Sequence, residues 1–153
     1  MRSEGSGGRR QEAEGRRIRA IALGFIQNGS RLFVSEGFDP AKQDFFYRAL
    51  GGGIEFGETS LEALKREFRE ELQAELTNIH YLGCLENVFT FNGAAGHEFV
   101  QLYRCDFVDQ TFYQQEQVNF ADSDQTYTAY WIERDRFQSG ELRLVPPQCL
   151  EFL

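Results

Sequence analysis

The sequence predicts an α/β domain of the α+β kind, with many strands set around one amphipathic helix. Three observations carry that prediction. Thr59-Ser60-Leu61-Glu62 matches a capping box, and Leu61, Leu64, Phe68, Leu72 and Leu76 follow it at three- and four-residue steps. Stretches rich in aromatic and branched residues lie on both sides of that helix, bounded by turn signals such as Asn28-Gly29 and Asn92-Gly93. No internal repeat is visible, so one core formed by strands and helix together is the economical architecture.

Taken in order, residues 1–15 contain Ser, Gly, Arg and Glu with almost nothing apolar, and are expected to form a flexible arm ahead of a single domain over 16–153. Arg9, Arg10, Arg16 and Arg17 offer a small basic anchor as an alternative, although short mixed-charge termini are usually just solvated. Ile18 to Ile26 reads as a strand, with Asn28-Gly29 turning it into a second at Arg31-Leu-Phe-Val34. Phe45 to Leu50 is a third. Gly51-Gly52-Gly53 then breaks the pattern, and regular structure resumes after Thr59. Beyond the helix, which is expected to run about four turns, the strand candidates are Ile79–Leu85, Val88–Phe91, His97–Phe107 and Thr126–Ile132. The tail from Arg134 to Leu153 reads as a second helix interrupted by Pro146-Pro147.

Composition narrows the function classes. With 24 acidic against 16 basic residues the net charge is -8, which opposes broad capture of a nucleic-acid backbone or an anionic membrane. A phosphate substrate would need local help, from a cation or from placed arginines. Cys84, Cys105 and Cys149 form no close pair, so neither a disulfide framework nor a zinc knuckle is expected, and a reducing cytoplasm fits best. No apolar run approaches the ~18 residues of a membrane span, and the N-terminus has no apolar signal-peptide core.

The polar face of the central helix concentrates the chemistry. At 100° per residue, Glu67, Glu70 and Glu71 fall within an arc of about 100°, beside the Leu64-Phe68-Leu72 stripe rather than opposite it. Carboxylates spaced this way repel one another by a few tenths of a kcal/mol per pair, roughly, so a compensating charge is expected. A hard divalent cation such as Mg²⁺ or Mn²⁺ would serve, since both prefer oxygen ligands. Ordinary ion pairs with Lys65, Arg66 and Arg69 would serve too. The segment upstream favours the cation: Gly51-Gly52-Gly53-Ile54-Glu55-Phe56-Gly57-Glu58 lets backbone approach a ligand closely and leads into a helix N-terminus.

Read from Gly52 to Ala74, the run is G-x5-E-x7-R-E-F-x-E-E, with Glu58, Arg66, Glu67, Phe68, Glu70 and Glu71 in the fixed places. It resembles the Nudix box of the MutT-like Nudix hydrolases, G-x5-E-x7-R-E-U-x-E-E-x-G-U, where U is bulky and aliphatic. Phe68 at the U position is a mild departure. Gln73 in place of the late glycine is a clearer one, and it predicts a helix that continues toward Leu76 instead of stopping tightly.

The resemblance implies an α/β/α sandwich with a mixed sheet and a loop-helix-loop at its site. It also implies a pyrophosphohydrolase that cleaves a phosphoanhydride bond in a nucleoside diphosphate linked to another moiety, with Mg²⁺ or Mn²⁺. Glu67, Glu70 and Glu71 would be metal ligands, joined by the Gly51 carbonyl. Glu58 would support the cluster, and Arg66 would hold a glutamate by charge-assisted hydrogen bonds. A general base from outside the box is expected at Glu98 first, with Asp122 and Asp124 as alternatives, while His97 reads as a satisfied polar residue. Trp131, Phe89, Phe91, Tyr103 and Tyr130 could stack on a base, though core roles suit them better. The prolines at 40, 146 and 147 do not match the one that follows the box in ADP-ribose hydrolases, so a nucleoside triphosphate or related small nucleotide derivative is the expected substrate. The family's habits leave a homodimer open. Two other readings compete: a silent nucleotide sensor on the same fold, and an acidic interaction protein that binds no metal.

Overall fold

The computed structural model describes residues 16–153, so the expectation of an N-terminal arm over 1–15 lies outside it. Eight strands run as β1 (Arg19–Asn28), β2 (Arg31–Asp39), β3 (Asp44–Arg48), β4 (Leu50–Gly53), β5 (Leu76–Phe91), β6 (Ala94–Phe107), β7 (Gln117–Asp122) and β8 (Gln125–Glu133). Helix α1 spans Ser60–Leu72, and a short α2 spans Arg134–Gln138. The sheet is mixed: β1 pairs in parallel with β6 and antiparallel with β4, whereas the remaining ladders are antiparallel. The expected α+β class and mixed sheet are therefore present.

β1 explains why the molecule has two apolar layers. Side chains alternate across a strand, so Ala22 and Ile26 join the cluster under α1, with Leu64, Phe68, Phe107 and Trp131. Ile21, Leu23 and Phe25 join the opposite cluster, with Val100, Leu102, Phe137 and Leu144. A strand buried on both faces reads as a continuous apolar run, as Ile18 to Ile26 does. Both turn signals sit where they were placed: Gly29, Asn92 and Gly93 take positive φ at the β1–β2 and β5–β6 reversals, and Ser123 does the same at the β7–β8 reversal.

Several boundaries differ from expectation. The three glycines do not simply interrupt the strands, because Leu50–Gly53 forms β4 against β1, with Gly51 opposite Leu23 and Gly52 opposite Ala22. The expected strand Phe45–Leu50 is thus split in two. Ile79–Leu85 and Val88–Phe91 belong to one strand, β5, whose register shifts between Thr77 and Gly83 absorb its irregular sequence. β7 was not foreseen, since Gln117-Val-Asn-Phe-Ala-Asp122 has weak alternation and gains its order from β8. The tail is α2 plus a 3₁₀ turn over Pro147–Phe152 rather than one interrupted helix.

The central helix begins as expected and ends differently. Thr59 Oγ1 accepts from the Glu62 N–H at 3.1 Å, and Glu62 accepts from the Thr59 N–H at 2.8 Å. Its end corrects the prediction of a helix reaching Leu76. Gln73 itself adopts the left-handed cap, φ 52° and ψ 38°; its N–H donates to the Arg69 carbonyl at 3.0 Å, and the Ala74 N–H donates to the Phe68 carbonyl at 3.2 Å. Leu76 then starts β5. No helix among the described residues is long and apolar enough to cross a membrane.

Candidate functional site

The site is assembled where β4 runs under the polar face of α1. Gly51 has φ 148°, and a Cβ there would run into the Ala22 carbonyl, so only glycine lets β4 lie this close to β1. A Cβ on Gly52 would collide with the Glu67 carboxylate. The glycines thus bring backbone directly beneath the first of the three helix glutamates.

Arg66 organises the next layer. Its Nε and Nη2 donate to the two Glu58 carboxylate oxygens at 2.7 and 2.9 Å, a bidentate pair, and Nη2 also donates to the Gly53 carbonyl at 2.9 Å. Nη1 reaches Glu70 at 3.1 Å, Glu67 at 3.5 Å and Glu55 at 3.6 Å. One guanidinium therefore ties the glycine strand, the connecting loop and the helix together. The same clasp holds the Glu58 carboxyl down to about 2, and Glu58 in turn raises Arg66.

Glu67 and Glu71 behave in the opposite way. Burial raises the Glu71 carboxyl to about 8, with the charges of Glu67, Asp122 and Glu70 pushing the same way and Arg48 opposing. Burial also raises Glu67, against Arg66 and with Glu70, Asp122 and Glu55. These two carboxylates, one helical turn apart, face Asp122 at the end of β7. Glu71, Gly51 and Asp122 line a cleft of about 410 Å³ together with Arg48, Phe46 and Tyr127.

The expected residues are not all brought together. Glu58, Arg66, Glu67 and Glu71 form one continuous cluster with Gly51 to Gly53, but Glu70 is largely exposed and turned to Arg66. Glu98 stands apart. Strand alternation puts it with Val100 and Leu102 toward the opposite core layer, where it is buried and lies 3.8 Å from Arg19, in a different cleft from Glu71. Asp122 takes the place across from the glutamates, while Asp124 lies exposed within the β7–β8 turn.

Among the aromatics, Trp131 is core, its Nε1 donating to the Phe112 carbonyl at 2.9 Å, and Tyr103 is buried with its hydroxyl 2.5 Å from Ser60 Oγ. Tyr130 packs against the far core layer. Phe91 lines the carboxylate cleft and its neighbour, and Phe89 lines the neighbour. His97 is not satisfied as expected: its ring stacks on Phe99, and its buried Nε2 has no partner among the described residues.

The donor set suits a hard cation, being carboxylate and carbonyl oxygen without sulfur or imidazole. Among the described residues no three carboxylates form a closed cage. Glu67 meets a positive partner only at 3.5 Å, in an Arg66 shared with Glu58, Glu70 and Glu55, and Glu71 has no ion-pair partner among the described residues. A Mg²⁺-like ion, which binds through one or two carboxylates and keeps its remaining shell for water and phosphate, fits such an open pair.

Arg48 was missed by sequence reasoning. It lies outside the box, and only the alternation within Phe45–Leu50, with Tyr47 facing the far layer, marks it as facing the helix side.

A family model described as NUDIX domain matches residues 15–148. No curated protein sequence matches the chain. Solved structures do. A NUDIX hydrolase from Nitrosomonas europaea is 18% identical with a TM-score of 0.59, covering 88% of this chain and 87% of its own. The ORF135 protein of E. coli is 19% identical at 0.55, covering 88% and 87%. A MutT NUDIX hydrolase from Burkholderia pseudomallei is 18% identical at 0.55, covering 78% and 85%. At these identities the likeness is one of fold.

Proposed function

Since the chain belongs to the NUDIX domain family and is a Nudix hydrolase, we propose that it is a Mg²⁺- or Mn²⁺-dependent pyrophosphohydrolase whose substrate is a nucleoside diphosphate linked to another moiety. The observation that carries this reading is the pairing of Glu67 and Glu71 above Gly51 and Gly52, opposite Asp122, where burial, reinforced by the neighbouring carboxylates, lifts Glu71 to about 8. Burying like charges together is costly unless a cation joins them.

Glu67 and Glu71 would hold the ion, with Glu70 and the Gly51 carbonyl as further oxygen donors. When bound, the ion neutralises phosphate oxygens and lowers the pKa of a coordinated water. The chain's own residues do the rest. Glu58 locks Arg66, and Arg66 restrains Glu67, Glu70 and the Gly53 carbonyl, so the donors are fixed before substrate arrives. Water attacks phosphorus, the bond from phosphorus to the bridging oxygen breaks, and the water's proton passes to a carboxylate. The reading places that base at Asp122, which shares the cleft with Glu71, rather than at Glu98.

A nucleoside triphosphate or related nucleotide derivative is the proposed substrate. The free cysteines Cys84, Cys105 and Cys149 are in keeping with a reducing, cytoplasmic setting. The test is a phosphate-release screen over nucleoside triphosphates, nucleotide sugars, ADP-ribose and dinucleoside polyphosphates with Mg²⁺ or Mn²⁺. Wild-type chain should turn over at least one class, while Glu70→Gln and Glu71→Gln should stay folded, with a cooperative melt, and lose metal-dependent turnover. Full activity in Glu71→Gln would sink the metal assignment, and metal binding without turnover of any class would favour the sensor.

A further inference from the structure

The carboxylate cleft opens beside a second cleft of about 760 Å³, and Phe46, Arg48, Phe91 and Tyr127 line both. Three of these are aromatic and one is cationic. Arg48 is the only basic residue among the described residues on the wall of the carboxylate cleft, whose other charged groups are Glu36, Glu71 and Asp122.

The backbone at Arg48 is fixed rather than loose. It is the last residue of β3, paired with Ser35, whose hydroxyl donates to the Arg48 carbonyl at 3.3 Å. Two residues separate it from Gly51. Because Tyr47 belongs to the far core layer, alternation turns Arg48 toward α1. The side chain is half-buried, and its charge is felt at Glu71, yet no carboxylate among the described residues comes within ion-pair distance of it. A partly desolvated guanidinium carries five N–H donors in a fork suited to phosphate. Left without an acceptor it is costly, and the acidic groups nearby are those already required for a cation.

We propose that Arg48 binds a phosphate of the substrate at the junction of the two clefts. The inference rests on the pyrophosphohydrolase reading and deepens it, since Arg48 is the one cation among the residues that line both clefts. A purely structural Arg48, serving only to offset Glu71, would bind no added anion.

The probe is methylenediphosphonate, a pyrophosphate analogue whose P–CH₂–P bridge cannot be hydrolysed, titrated calorimetrically into the full chain in Mg²⁺. Losing a charge-assisted phosphate contact should weaken binding by about tenfold or more in Arg48→Gln, with part of the affinity regained in Arg48→Lys. Without phosphonate, Mg²⁺ affinity should not fall in either variant, since removing a cation beside Glu71 cannot disfavour another, and the melting temperature should match wild type. Equal phosphonate affinity in wild type and Arg48→Gln would overturn the proposal. So would absence of binding by wild type, or losses in Arg48→Gln matched by lower Mg²⁺ affinity or lower melting. A Glu71→Gln variant that stays active would instead sink the metal-site reading.

Discussion

Glu58 and Glu71 lie on one short stretch of chain, and their pKa values are shifted in opposite directions. Glu58 is clasped by Arg66 and held at about 2, below its ordinary 4.5, whereas Glu71 is buried among carboxylates and raised to about 8. In the metal-free protein the Glu71 contribution is therefore complete below 4.5 and is lost as pH climbs through about 8, because the unfolded chain releases this proton first. The Glu58 contribution has the reverse sign: it is present above 4.5 and lost as pH falls toward about 2. Melting temperature followed against pH in a chelator should decline through the neutral range in wild type, and Glu71→Gln should flatten that decline. An identical slope in the variant would contradict the burial of a charged Glu71. Spacing alone makes the glutamates visible as a set, but their opposite shifts depend on which of them meets Arg66 and which meets Asp122.

At the scale of elements, α1 shows how local and tertiary information divide. Its start is local: the Thr59–Glu62 box satisfies orphan N–H groups and is worth about 1 kcal/mol, which is why four residues suffice to recognise it. Its end is set by context. Extended hydrophobic spacing reaches Leu76, yet β5 must begin there to pair with Phe107, so Gln73 is driven into a left-handed conformation that disfavours a side chain by roughly 1–2 kcal/mol. Gln73→Gly should consequently leave the fold intact and raise stability by up to about 1 kcal/mol in urea unfolding, after the greater freedom of glycine in the unfolded chain is deducted. A clear loss of stability would mean that the exposed bond from Gln73 Nε2 to the Glu70 carbonyl, at 3.3 Å, matters more than the strain.

Across the whole molecule, a net charge of -8 and an acidic cleft at the edge of the sheet make divalent cations natural stabilisers. A ligand that binds only the folded state adds about 2.7 kcal/mol at a hundredfold excess over its dissociation constant. Mg²⁺ or Mn²⁺ should raise the melting temperature at constant ionic strength, and a chelator should reverse the gain. Glu67→Gln should remove most of it. An equal shift with sodium chloride alone would reduce the effect to general screening.

Features that depend on short spacings are legible in the chain before it folds. These are the capped amphipathic helix, the Asn28-Gly29 and Asn92-Gly93 reversals, the strand β1 buried on both faces, and the box from Gly52 to Glu71 with its acidic face. That Glu98 faces the other layer while Asp122 faces the glutamates, that Glu70 turns to Arg66, and that Arg48 stands between two clefts emerges only once the chain is folded. The reason is physical: periodicity within an element assigns a residue to a face, but which faces meet is settled by the pairing of strands distant in the chain, β1 with β6 and β2 with β8.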